Sequence, residues 1–124
     1  MRLLLDTHIL LWWLGSHPRL SRAARDTIIA AEEVYVSAVA AWEIEIKVSL
    51  GKLEFRGDLA KHIDNSGFRA LPISLRHAIA AGQLPQHHKD LFDRMLIAQG
   101  QTERLTILSV DATFRTYDVD VVLV

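Results

Sequence analysis

Four short apolar runs, RLLLD (2–6), VYVS (34–37), LTILSV (105–110) and VDVVLV (119–124), recur along this chain with helical stretches between them. That alternation constrains the fold more than any other feature. Strands separated by helices of 10–15 residues indicate βαβ units and a mostly parallel sheet. A weaker run, FRALPI (68–73), supplies a fifth strand. The expected fold is a three-layer α/β/α domain with a five-stranded, mostly parallel sheet. Its 124 residues, half of them hydrophobic, suffice for one such domain spanning residues 1–124.

The helices are marked by their ends. THILLWWLG continues directly from the first strand, with Thr7 placed to cap it, and SRAARDTIIAA (21–31) opens at Ser21. Ser37 caps AVAAWEIEIKVSL, which Gly51 stops, and DLAKHIDNSG (58–67) also ends in glycine. SLRHAIAAGQ (74–83) is a short helix. HHKDLFDRMLIAQG (87–100) begins as a charged loop and becomes a helix with two aspartates at the junction. The apolar N-terminus resembles a signal peptide only superficially, because Asp6 and His8 interrupt it and no small-residue cleavage pattern follows. No run reaches the roughly 20 apolar residues that a membrane span needs.

The chain has no cysteine, which excludes disulfides, thiolate zinc sites and a cysteine nucleophile, and fits a reducing cytoplasm. Fourteen basic residues stand against fifteen acidic ones, so any contact with nucleic acid must come from a local patch. Basic residues gather at Arg19, Arg22 and Arg25, at Lys47, Lys52 and Arg56, and at Lys89 and Arg94.

The acids are not scattered evenly over this scaffold. Asp6 ends the first strand and Asp111 directly follows LTILSV, so both belong at the carboxyl edge of a parallel sheet, where open α/β folds bind ligands. Glu43 lies in the first half of the helix after the second strand and projects near the same edge. The helix bearing Asp93 runs back against the strand it feeds, which brings its first turn there too. Four carboxylates from four segments thus converge. Such a cluster repels itself unless a cation intervenes, and an all-oxygen site suits Mg²⁺ or Mn²⁺. Metal held in this way activates water and stabilises charge on a phosphoryl group, so metal-dependent phosphodiester cleavage is the reaction class that fits.

Each acid also has a simpler use. Asp6 could favour a helix N-terminus, yet an unpaired charge inside LLLDTHILLWW would be costly, which favours function. Glu43 has Lys47 four residues on, the spacing of a surface ion pair, but apolar neighbours surround it; both readings stay open. Asp111 serves equally well as a cap for the turn ATF. Asp90 and Asp93 both suit a helix start, and one of them is structural. The pair His87 and His88 reads as a solvated loop or a phosphate contact, since adjacent residues rarely coordinate one ion. His8 reads as a hydrogen-bonded neighbour of the site. Trp12, Trp13 and Trp42 read as core or interface aromatics.

LLLDTHILLWWL, VSAVAAWEIEIKVSLGKL, HHKDLFDRMLIAQ and ILSVDATF occur in the order and at about the spacing seen in PIN-domain proteins. The chain resembles especially the VapC-type toxins of bacterial toxin–antitoxin pairs, over essentially its whole length. The resemblance implies a Mg²⁺- or Mn²⁺-dependent endoribonuclease whose acidic quartet is Asp6, Glu43, Asp93 and Asp111. It places the family's small hydroxyl residues at Ser37 and Ser109 and the polar neighbour of the first acid at Thr7. These three, with Asp90 at the rim, would orient ligands or water. Leu91 stands where relatives commonly carry proline. Arg94, Lys89 and Lys47 are the candidates for steering the RNA backbone. The resemblance further implies a homodimer and a cognate antitoxin that blocks the active site and carries the DNA-binding function, so that DNA is met only through that partner.

Two other classes compete with this reading. A receiver-like phosphate-signalling module also gathers acids and Mg²⁺ at a sheet edge, but it needs adjacent acids after the first strand and a lysine after the last long one; here Asp6 stands alone and SVDATF has no lysine. A catalytically weak RNA-binding or interaction module of the same fold is the remaining alternative, and the presence of all four acids favours activity over it.

Overall fold

The computed structural model describes residues 1–124 as five strands and six α-helices. In chain order they are β1 (Arg2–Leu5), α1 (Thr7–Leu14), α2 (Arg22–Ala30), β2 (Glu33–Ser37), α3 (Ala38–Ser49), α4 (Leu59–Asn65) and β3 (Arg69–Leu71). Then follow α5 (Leu75–Gln83), α6 (Leu91–Glu103), β4 (Thr106–Ser109) and β5 (Val121–Leu123), with a 3-10 turn at Ala112–Thr116. The strands form one sheet in the order β3-β2-β1-β4-β5, and every pairing is parallel. The sheet is therefore wholly parallel, with β1 at its centre.

Side-chain alternation along β1 divides the core into two layers. Leu3 and Leu5 face a cluster built with Ile9 and Leu10 of α1, Ala24 and Ile28 of α2, Ala40 and Ile44 of α3, and Leu59 and Ile63 of α4. Leu4 points the other way, into Leu96, Ile97 and Ala98 of α6, with Ile107 of β4 and Phe114. Both layers are needed because a sheet paired on each side has two apolar faces to cover. Helix α6 lies tight on its strands at Gly100, where an added Cβ would come 2.9 Å from Val119 and 3.3 Å from Ile107.

Helix starts follow the sequence closely. Ser21, Ser37, Asp58 and Ser74 each accept a backbone N–H from the first turn of the helix they open. Gly51 and Gly67, expected to end α3 and α4, have φ of 71° and 77°, a conformation glycine adopts without strain. The expected cap at Thr7 does not form. Asp6 is the extended residue before α1, and Thr7 is already helical. Its hydroxyl is engaged elsewhere, donating to Glu43. No helix is long and apolar enough to cross a membrane.

Candidate active site

Because β1 and β4 are neighbours, the residues that follow them meet at the carboxyl edge. Asp6 donates its backbone N–H to the Leu108 carbonyl at 3.1 Å and is only 4% exposed. Its carboxylate accepts the Ser109 hydroxyl at 2.7 Å, and the same hydroxyl oxygen accepts the Asp111 N–H at 2.9 Å. Burial pushes the Asp6 carboxyl above its usual range, while the Ser109 hydrogen bond and a charge on His8 oppose the rise. Asp111 goes the other way. Its carboxylate accepts the Thr113 N–H at 2.9 Å, which holds it below the usual range.

Helix α3 starts where β2 ends and carries Glu43 over the same edge. Ser37 is fully buried, and its Oγ accepts the Val39 N–H at 3.0 Å, fixing that start. Glu43 is 6% exposed with both oxygens engaged: Thr7 Oγ1 donates to Oε1 at 2.9 Å and Lys47 Nζ lies 2.9 Å from Oε2. The spacing to Lys47 is that of a surface pair, but the glutamate end is buried. Glu45, two residues on, is exposed.

The two aspartates of α6 differ in kind. Asp90 is exposed, and its Oδ1 accepts the N–H groups of Phe92 and Asp93, so it caps the helix. Asp93 lies inside the first turn and is half-buried. Its carboxyl is pushed up to about 7, by burial first and then by the negative charges of Asp6 and Asp90. His88 is also in this group. Its Nε2 lies 2.7 Å from Asp93 Oδ2 and 3.9 Å from Asp111 Oδ2. The expectation of a freely solvated His88 is thereby corrected: the residue is half-buried because its loop is held against Tyr117, whose Oη accepts the His88 N–H at 2.9 Å. His8 is exposed and leans on Trp12 rather than bonding to the acids.

Among the basic candidates the outcomes diverge. Lys89 is exposed on the loop before α6, and Lys47 is part-exposed beside Glu43. Arg94 is 6% exposed and donates inward, to the carbonyls of Pro85 and Ala81 at 2.9 Å and of Leu84 at 3.1 Å. It is a clamp on the loop that precedes its helix, and the expectation that it steers RNA is withdrawn. Sequence reasoning missed this and the His77 capping box, in which Ser74 and His77 each bond the other's backbone. A signal for Arg94 existed in the helical period, since it is in phase with buried Ile97 and Ala98.

The donor set fits a hard divalent cation. Glu43 acts on Asp6, Asp6 acts on Asp93, and His88 bridges Asp93 towards Asp111. His88, Asp93 and Asp111 each offer a ligand atom within 4.8 Å of the others. Like charges packed this closely, with the Asp93 carboxyl pushed up to about 7, are what a bound cation relieves.

A parallel α/β domain with acids from four segments gathered at the carboxyl edge belongs to the class of acidic-centre α/β domains. The chain belongs to the PIN-domain family, whose model matches residues 3–120. Within it the likeness runs to the VapC branch: the chain is 30% identical over 122 residues to Ribonuclease VapC22 of Mycobacterium tuberculosis, covering 92% of this chain and 90% of that protein. Solved structures with the same fold include VapBC2 from Rickettsia felis bound to a promoter DNA fragment, with a TM-score of 0.76 at 15% identity, covering 100% of this chain and 99% of that one. They also include FitAcB from Neisseria gonorrhoeae, with a TM-score of 0.72 at 23% identity, covering 96% and 95%.

Proposed function

We propose that this chain is the toxin of a type II toxin–antitoxin pair and acts as a Mg²⁺- or Mn²⁺-dependent endoribonuclease. The observation that carries this reading is the linked set of Asp6, Glu43, Asp93 and Asp111 at one sheet edge, in a chain similar to a ribonuclease over nearly its full length. A divalent cation held there would supply positive charge to activate water and to offset the charge on the scissile phosphate.

Asp6, Glu43, Asp93 and Asp111 are the residues that would hold the ion. Thr7 and Ser109 fix the Glu43 and Asp6 carboxylates in orientation, Ser37 sets the start of α3, and Asp90 sets the start of α6. The RNA backbone is steered by Lys89 and Lys47. A cleft lined by Trp12, His17, Lys47, Lys52 and Phe55, with Glu54 beside them, supports the assignment of Lys47, because it combines cations for phosphate with aromatic faces for bases.

The partner would be an antitoxin in the cytoplasm, and DNA would be met through it; solved structures of the same fold include a toxin–antitoxin complex from Klebsiella pneumoniae and three complexes bound to DNA. Uncovered apolar side chains, including Trp42, Leu75, Ile79 and Leu91, support the antitoxin and a homodimer as occupants of the surface. The test is incubation of purified protein with RNA in Mg²⁺, Mn²⁺ or EDTA. Cleavage that needs the metal and is lost in Asp6→Asn is expected. Cleavage that persists in EDTA sinks the proposal, and RNA binding without cleavage in any divalent metal leaves the interaction module in its place.

A further inference from the structure

The acidic quartet does not account for His88. A histidine in a solvated loop needs no support, yet this one is held from several sides. Its N–H donates to Tyr117 Oη at 2.9 Å, and Tyr117 Oη donates in turn to the Pro85 carbonyl at 2.9 Å. Arg94 draws in the carbonyls of Ala81, Leu84 and Pro85, with a longer contact to the His88 carbonyl at 3.4 Å. The imidazole stands edge-on to Phe114, with ring planes at 87°. All of this aims Nε2 at the acids.

The 2.7 Å and 3.9 Å separations from Nε2 are close to those of neighbouring and opposite ligands on one ion. An octahedral site with bonds near 2.1 Å sets neighbouring donor atoms roughly 3 Å apart and opposite ones roughly 4 Å apart. Nε2 lies 2.7 Å from Asp93 Oδ2 and 3.9 Å from Asp111 Oδ2, and the three donor atoms fall within 4.8 Å of one another. The alternative is a histidine that only balances the charge on Asp93, but that use would not require Nε2 to approach Asp111 as well. Resting on the metal-dependent reading above, we propose that His88 is a nitrogen ligand of the divalent cation, shared with Asp93 and Asp111. A nitrogen donor among carboxylates tilts such a site away from Mg²⁺ and towards first-row transition ions, Mn²⁺ among those present in the reaction.

The test titrates Mn²⁺ and Mg²⁺ separately into the wild type and into His88→Gln, whose amide oxygen can replace the nitrogen donor. Calorimetry reads affinity, and pulsed electron paramagnetic resonance of the Mn²⁺ complex reads coupling to ¹⁴N. Circular dichroism checks that the variant is folded, which is the expected result because the bonds that hold the loop to Tyr117 and Arg94 run through backbone groups, not the imidazole. Coupling in the wild type that disappears in His88→Gln is expected, with Mn²⁺ affinity falling about tenfold or more and Mg²⁺ affinity changing less. Mn²⁺ bound without ¹⁴N coupling, coupling that survives in the variant, or equal losses for both metals would overturn the proposal. If the wild type still cleaves RNA in that metal, the nuclease reading survives this failure. A wild type that binds no Mn²⁺ and cleaves nothing overturns both.

Discussion

The Ser109 hydroxyl donates to Asp6 at 2.7 Å across 103 residues of chain while accepting the Asp111 N–H at 2.9 Å. One fully buried hydroxyl therefore joins the acid after β1 to the acid after β4. Ser109→Ala leaves a buried carboxylate short of a donor and a backbone N–H without its acceptor. The expected cost is about 1–3 kcal/mol in urea denaturation. Because the carboxylates lose their fixed orientation, calorimetry should also show metal affinity falling about 10–100-fold. Unchanged stability and affinity would reduce Ser109 to space filling.

Asp90 and Asp93 separate by substitution. Asn caps a helix about as well as Asp, so Asp90→Asn should keep the stability of α6, whereas Asp90→Ala should lose about 1 kcal/mol. Asp90→Asn removes one charge from the rim and should reduce cleavage in part. Asp93→Asn removes a proposed ligand, and cleavage should fall by orders of magnitude with the fold intact. Initial rates on a labelled RNA, with thermal melts of each variant, check both halves. Equal losses from the two asparagine variants would contradict the division between cap and ligand.

The sheet and the edge positions of Asp6 and Asp111 are legible because they are written in local pattern. Asp6 sits where an apolar strand ends, and parallel strands alternating with helices put every such end on one edge. What escaped was set by contacts distant in sequence. Thr7 looked like a cap because caps are read from their neighbours, but its hydroxyl belongs to Glu43, 36 residues away. Arg94 looked like a surface cation because a buried guanidinium is stable only when carbonyls converge on it, and no local pattern announces the 81–85 segment as their source. His88 looked like loop for a related reason: Tyr117, 29 residues further on, anchors it.

Asp93 should make the metal-free protein pH-sensitive. Its carboxyl stands at about 7 in the fold against an ordinary 3.8, so the folded state favours the protonated form. The stability this contributes is complete below pH 3.8 and is lost as pH rises to about 7. Asp93→Asn has no proton to lose there. In EDTA its melting temperature should therefore gain on the wild type as pH rises through that window, and the gap should level off above it. Metal competes with the same proton, so wild-type affinity for the cation should climb through the window as well. A gap between the two proteins that stays constant with pH would show that Asp93 is already ionised.

A cation facing RNA phosphates releases counterions on binding, so removing it flattens the salt dependence of RNA affinity by about one unit of slope and leaves stability alone. That is the outcome expected for Lys89→Ala, whose side chain is exposed. Arg94 donates to the Ala81 carbonyl in the last turn of α5 and to the Leu84 and Pro85 carbonyls beyond it, at 2.9–3.1 Å, so Arg94→Met removes three charged hydrogen bonds and leaves the buried Leu84 carbonyl without that donor. The expected result is a loss of about 3 kcal/mol or more in urea denaturation, with the salt slope unchanged. Arg94→Lys should recover only part of it, because an ammonium cannot reproduce the planar fork that reaches these carbonyls together. A flattened salt slope in Arg94→Met at undiminished stability would return Arg94 to the RNA interface and remove its claim to hold the His88 loop.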